Sequence, residues 1–290
     1  MNNIWSRYIQ GVMTLYCSRK LRFHDLFAEQ YQRLFRMDTN GEQKILEIGC
    51  GPGALAGALH HWYPKAEITA IDRDTEFIRF AGEHEKGINF LEGDATNLPF
   101  GDSVFDVTIS NTVAEHIEPE RFYAEQLRVL KPGGICLVLS SRKGIQHVSD
   151  CVAPDAFEQD FWAKVEKHDD SMEKYAVCKY PMSEAEMPVV MEQHGLREVS
   201  TGYAVVDLTP DDPKYPPSMA IEMIEASRYS ELEAVRSVLY TMPEQVTPQA
   251  IQEMERRISA KYDARLRLYA RGEKQWDTSV SVIMVLRGIK

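Results

Sequence analysis

From Lys44 onward, short apolar runs alternate with helix-length segments, and that alternation permits little except a parallel sheet built from βαβ units. Strands are expected at 44–48, 67–71, 88–91, 105–110 and 134–140. Helices are expected near 54–62, 75–85 and 118–129, and Pro132-Gly133-Gly134 turns the chain into the fifth strand. Right-handed crossovers then place helices on both faces of the sheet, which makes the domain α/β and doubly wound.

Two further strands, at 197–207 and 278–287, are separated by a segment of helical character. Within it, Ile251, Met254, Ile258, Tyr262, Leu266 and Tyr269 follow steps of three and four. Thr247-Pro248 supplies an N-cap with proline at the first helical position, and Gly272 follows the end. A preceding helix is expected over 217–240. Another, rich in Phe157, Phe161, Trp162 and Val165, follows the fifth strand, and one more ends at Gly195. That last helix has two possible starts, because Ser183 and Glu186 have capping-box spacing while Pro188 suits a first turn. Before the first strand, two amphipathic helices run through Trp5–Tyr16 and Phe23–Leu34. Their six basic residues against two acidic ones read as a solvated outer face. The expected organisation is an N-terminal helical lid at 1–38, a core at 39–208 and 276–290, and a helical insertion at 209–275.

Composition narrows the function. Forty-four acidic against 33 basic side chains give a net charge of −11, which opposes a polyphosphate partner, so no nucleic acid is expected. The five cysteines, Cys17, Cys50, Cys136, Cys151 and Cys178, are scattered and never spaced C-x-x-C. Neither a disulfide framework nor a metal site is therefore expected, and a reducing cytoplasm fits best. No apolar run approaches the ~20 residues that span a bilayer, so no membrane partner is expected either.

Three short elements carry the chemistry. Directly after the first strand, Glu47-Ile48-Gly49-Cys50-Gly51-Pro52-Gly53-Ala54 forms a glycine-rich turn that opens a helix and lets a ligand lie against main chain. The second strand ends in Asp72, whose carboxylate can accept hydrogen bonds from both hydroxyls of a ribose. After the third strand, Gly93-Asp94-Ala95 can read an adenine edge, with Asp94 accepting from an exocyclic amine and the next N–H donating to a ring nitrogen. All three sit at carboxyl ends of strands, where open α/β sheets bind ligands.

Together these residues resemble class I S-adenosylmethionine-dependent methyltransferases, especially those acting on small molecules, over about residues 42–140. Phe105-Asp106-Val107 through His116 is similar to the family's fourth strand and its loop, and Leu130-Lys131-Pro132-Gly133-Gly134 completes the set. The resemblance implies a Rossmann-like seven-stranded sheet with the last strand antiparallel, and S-adenosylmethionine as cofactor. It implies that Glu47, Gly49, Gly51 and Gly53, with backbone near Asn111, hold the methionine end. Asp72 would hold the ribose, and Asp94 and Ala95 the adenine. Methyl displacement onto a small-molecule acceptor is the expected reaction. An NAD-dependent oxidoreductase is the alternative that G-x-G-x-x-A and Asp72 also permit, and a cofactor-binding regulatory protein is another.

His116, following the fourth strand near the expected methyl, is the candidate catalytic residue, as base or acceptor contact. The competing reading is a histidine packed behind the cofactor loop. Arg142, Lys143 and His147 read as surface charges that could meet an anionic acceptor. Cys50 reads as a small filler within the turn. The N-terminal helices and the insertion are expected to close over the acceptor, with Trp5, Tyr8, Tyr16, Tyr203, Tyr215, Tyr229 and Tyr240 available to line a pocket.

Overall fold

The computed structural model describes residues 4–168 and 171–290. Seven strands form one sheet: β1 Lys44–Ile48, β2 Glu67–Asp72, β3 Asn89–Glu92, β4 Phe105–Asn111, β5 Leu130–His147, β6 Arg197–Leu208 and β7 Thr278–Ile289. Their order is β3-β2-β1-β4-β5-β7-β6, with β7 antiparallel to both neighbours and the first five strands parallel. The order reverses at β1, so the connections that follow the parallel strands β1 and β4 run to opposite sides and open a crevice at their carboxyl ends.

Among the described residues, ten α-helices surround the sheet: α1 Val12–Arg22, α2 Ala28–Phe35, α3 Ala54–Trp62, α4 Thr75–His84, α5 Pro119–Val129, α6 Ala156–Glu166, α7 Ser171–Lys174, α8 Glu186–Gln193, α9 Pro217–Thr241 and α10 Pro248–Ala270. One face of the sheet packs Ile45, Val107, Ile109, Leu137 and Leu139 against Leu55 and Leu59 of α3 and Tyr31 and Phe35 of α2. On the other face Ile48, Val138 and Leu286 meet Phe122 and Tyr123 of α5 and Met187 and Met191 of α8. The alternation of these residues along each strand is what fixes register, because a slip of one position would expose the whole set.

Local signals explain the helix starts. Thr247 accepts a hydrogen bond from Ala250 N–H ahead of Pro248, and Asp155 with Glu158 completes a capping box on α6. The two readings of α8 turn out compatible. Ser183 and Glu186 exchange cap hydrogen bonds, and Pro188 falls in the first turn, where an N–H would have no intrahelical partner. The N-terminal pair differs from expectation in one respect: the first helix divides into a wide turn at Trp5–Ile9 and α1, with Gln10 and Gly11 extended between them. The carboxylate of Glu233 on α9 accepts from Met13 N–H and Thr14 N–H, capping α1 from a distant part of the chain.

The insertion does not stand alone. Helices α9 and α10 share a core with α6, through Phe161, Val165, Val235, Met254 and Ile258. They are tied to the sheet by Arg265, fully buried, which bonds Asp211 at the insertion's entry (2.6 Å) and Asp277 at its exit (2.9 Å). At the far edge, the Gln30 side chain donates to Val205 C=O and accepts from Val205 N–H, as a neighbouring strand would. That contact blunts an otherwise open edge.

Candidate active site

A cavity of about 720 Å³ opens over the crevice. Gly49 and Gly51 of the turn line it, with Asp72, Asp94, Ala95 and His116, as the sequence leads one to expect. Glu47, Gly53 and Asn111 stand behind its wall instead. Gly53, at φ +90°, brings α3 onto its neighbours: a Cβ there would lie 2.9 Å from Ala81 and 3.0 Å from Phe90, so its absence serves packing. Gly49 is as constrained, since a Cβ would come within 2.4 Å of Val113.

Asp72 organises the turn. One carboxylate oxygen accepts from Gly51 N–H at 2.8 Å and the other from Asp74 N–H at 2.9 Å, which leaves a lone pair on each for a ligand hydroxyl. Asp94 accepts from the N–H and the hydroxyl of Thr96 through Oδ1, and its Oδ2 has no bond to a described residue. Asp74 caps α4 and also accepts from the backbone and hydroxyl of Ser6, so the N-terminal segment is fastened beside Asp72.

Beneath the turn, Glu47 is almost fully buried and its Oε2 has no partner among the described residues; both side-chain polar atoms of Asn111 are in the same position. Buried polar atoms without partners are rare and call for an explanation. Burial, helped by the repulsion of Asp72, pushes the Glu47 carboxyl up to about 8, against the pull of Arg19 and a hydrogen bond from the Ala56 backbone. Cys50 is buried in the turn, and burial raises its thiol well above the ordinary range, which fits a filler and not a nucleophile.

The first residue beyond β4, Thr112, has φ +54°, a left-handed conformation that β-branched residues seldom adopt. Its hydroxyl accepts from Arg19 Nη2 at 2.8 Å and donates to Asn111 C=O at 2.7 Å. Arg19 comes from α1, and sequence reasoning placed it on a solvated face. The available signal was its spacing from Leu15, four residues earlier and buried, which puts a cation on the inward stripe of an amphipathic helix.

His116 lines the cavity with its ring edge-on to Trp5, at 4.7 Å between centroids. Its Nδ1 accepts from Cys178 N–H at 2.9 Å, so the neutral ring carries its proton on Nε2. Burial, with the positive charges of Arg73 and Arg19, lowers its titration to about 4. At neutral pH His116 is therefore a hydrogen-bond donor toward the cavity. It is poorly suited to act as a base.

The segment after β5 also reaches the site, which the sequence did not reveal: Val177, Lys179 and Tyr180 line the cavity, and Tyr180 N–H donates to Glu115 C=O. Of the aromatic residues available for a pocket, Trp5 alone lines this one; Tyr8 stacks on Tyr175, Tyr16 donates to Glu85, and Tyr203, Tyr229 and Tyr240 are exposed. No described residue of 209–275 lines the cavity. The insertion touches it only indirectly, by packing α9 against α1. Arg142 is held away by Met182 C=O, Met187 and Glu184.

A sheet of this order, with an antiparallel seventh strand and an acid-tipped second strand facing a glycine turn, defines a Rossmann-like nucleoside-binding core. The family described as "Methyltransferase domain" matches residues 46–138, the stretch that carries the glycine turn, Asp72 and Asp94. The chain is similar to the phthiotriol/phenolphthiotriol dimycocerosates methyltransferase of Mycobacterium tuberculosis, 40% identical over 103 residues that make up 34% of this chain and 37% of that one. It is similar also to the fatty-acid O-methyltransferase of Mycolicibacterium smegmatis, 36% identical over 36% of this chain and 39% of the other. The chain thus matches well under half the length of these curated relatives. Among solved structures, phosphoethanolamine N-methyltransferase 2 of Haemonchus contortus superposes with a TM-score of 0.52 at 14% identity, covering 100% of this chain and 60% of that one. That likeness is one of fold.

Proposed function

We propose that this protein transfers a methyl group from S-adenosylmethionine to a small-molecule acceptor. The observation that carries the reading is the cradle at the β1, β2 and β4 ends: a glycine turn hydrogen-bonded to Asp72, with buried unpartnered polar atoms of Glu47 and Asn111 directly beneath. The antiparallel β7 supports a methyl donor over a nicotinamide, whose sheets are ordinarily extended by parallel strands. When bound, S-adenosylmethionine supplies a methyl on a sulfonium, activated for displacement with a neutral thioether as leaving group.

The chain's own residues then position and enclose. Asp72 would hold the ribose hydroxyls, and Asp94 with the Ala95 N–H the adenine. Gly49 and Gly51 give the amino-acid tail access to main chain, and Arg19 meets its carboxylate. His116 would orient the acceptor through Nε2–H, and alignment in a water-poor site supplies most of the acceleration. The acceptor is proposed to have an apolar body, as do the lipids named for the two curated relatives. A cytoplasmic setting is supported by five unpaired cysteines. No described helix is long and apolar enough to cross a membrane. The test is calorimetric titration with S-adenosylhomocysteine and NAD(H), followed by a labelled-methyl screen of a metabolite extract. Binding of NAD(H) in place of the homocysteine compound would reject the assignment.

Glu47 makes the reading sensitive to pH. In the free protein it is mostly protonated below about 8, facing Arg19 on α1, Asp72 on β2 and Cys50 in the turn. A ligand with net positive charge favours the carboxylate, so cofactor binding at pH 7 is expected to release a fraction of a proton and to tighten as pH rises toward 8. Calorimetry in buffers of different ionisation heat should show this release for S-adenosylmethionine, and Glu47→Gln should abolish it.

The N-terminal segment, proposed as a lid, is pinned at three points: Ser6 to Asp74, Trp5 on His116 and Tyr8 on Tyr175. Cofactor is expected to slow tryptic cleavage at Arg7 and Lys179 together. Cleavage rates unaffected by cofactor would remove the lid.

A further inference from the structure

We infer that the acceptor carries an anionic group, a carboxylate or a phosphate, that docks against the guanidinium of Arg22. This inference rests on the methyl-transfer reading and names the substrate class for the same site.

Helix α1 turns Leu15, Ser18, Arg19 and Arg22 toward the cavity, at the three- and four-residue steps of one helical face. Arg19 has Thr112 and lies near the carboxyls of Glu47 and Asp72. Arg22, one turn on, forms no side-chain hydrogen bond or ion pair with any described residue. Burial and the charge of Arg19 both work against its cation. Five N–H donors on a partly desolvated guanidinium beside a second one are costly to leave unmatched, so the site is shaped for an anion.

Neither the protein nor the cofactor supplies one. Asp72 is engaged by the turn and Asp94 by Thr96. The sulfonium adds positive charge, and its single carboxylate is matched by Arg19. Beyond Asp72 and Asp94, the cavity lining carries Arg73, Arg121 and Lys179 against a single further carboxylate, Glu118, in a chain of net charge −11. Such a local reversal draws anions in. The same cavity is lined by the apolar side chains of Trp5, Ile9, Ile117 and Val177, with Trp5 against His116. The occupant that satisfies both is an apolar body ending in a negative group.

The probes are octanoate, octyl phosphate and octan-1-ol, titrated by calorimetry into protein loaded with S-adenosylhomocysteine. At least one anion should bind about tenfold or more tighter than the alcohol, and the better anion tells carboxylate from phosphate. Arg22→Met should erase that preference while S-adenosylhomocysteine affinity stays unchanged, and Arg22→Lys should restore part of it. The inference is overturned if neither anion outbinds the alcohol, or if Arg22→Met keeps the preference. Loss of S-adenosylhomocysteine binding by the unmutated protein would instead defeat the methyl-transfer reading itself.

Discussion

Replacing Asp72 with alanine is expected to weaken S-adenosylhomocysteine binding by about 1–3 kcal/mol, the scale of losing hydrogen bonds to a charged group. That corresponds to roughly 5- to 150-fold in the dissociation constant. Two losses combine: the ribose hydroxyls lose their acceptor, and the Gly51 and Asp74 N–H groups lose the oxygens that now hold the turn. Asp72→Asn should fall between, because its amide keeps one acceptor oxygen and presents a donor to whichever N–H faced the other. Circular dichroism and thermal midpoint should change little for either variant, since β2 and α4 keep their packing. A dissociation constant for Asp72→Ala equal to that of the parent would mean that the sugar lies elsewhere.

The largest stability effect is expected at Arg265. Its guanidinium is buried against Asp211 and Asp277, and Asp211 also accepts from Gln275 N–H and Trp276 N–H, so one carboxylate closes both ends of the insertion. Arg265→Ala removes the cation and leaves two carboxylates facing a cavity, for which a loss of about 3–5 kcal/mol is typical. At roughly 2–4 °C per kcal/mol for a chain of this order of size, the thermal midpoint should drop by about ten degrees. Urea denaturation measures the difference directly. A loss below about 1 kcal/mol would show that Asp211 is held adequately by its backbone donors alone. Because α9 caps and packs against α1, the variant should also bind cofactor more weakly, through a loosened α1 and not through a lost contact.

The strands β1, β2 and β4 were legible because each is short, apolar and bounded by turn residues, and they agree with expectation to within a residue. The upper part of β5 was not. Past Ser141 it runs Arg142-Lys143-Gly144-Ile145-Gln146-His147, polar and largely exposed, and it is extended because it pairs with β7 far along the chain. No local pattern reports such a partner. In the site, the motif residues that line the cavity were readable: Gly49 and Gly51 of the turn, Asp72 and Asp94. What approaches from other segments was not. Arg19 and Arg22 read as solvent-facing charges until α1 was laid over the crevice, and Cys178 has no sequence property that marks its N–H as the group setting the proton position on His116.

The place of β7 has a consequence for how the molecule is made. It follows β5 and β6 in the chain, yet it lies between them in the sheet. During synthesis the two earlier strands leave the ribosome with a gap between them that only residues 278–289 can fill, and until then each presents an unpaired edge. Closure through such distant pairing is slow and exposes sticky intermediates. Chaperone dependence in cells, and refolding yields that fall as protein concentration rises, are the behaviour this topology prescribes.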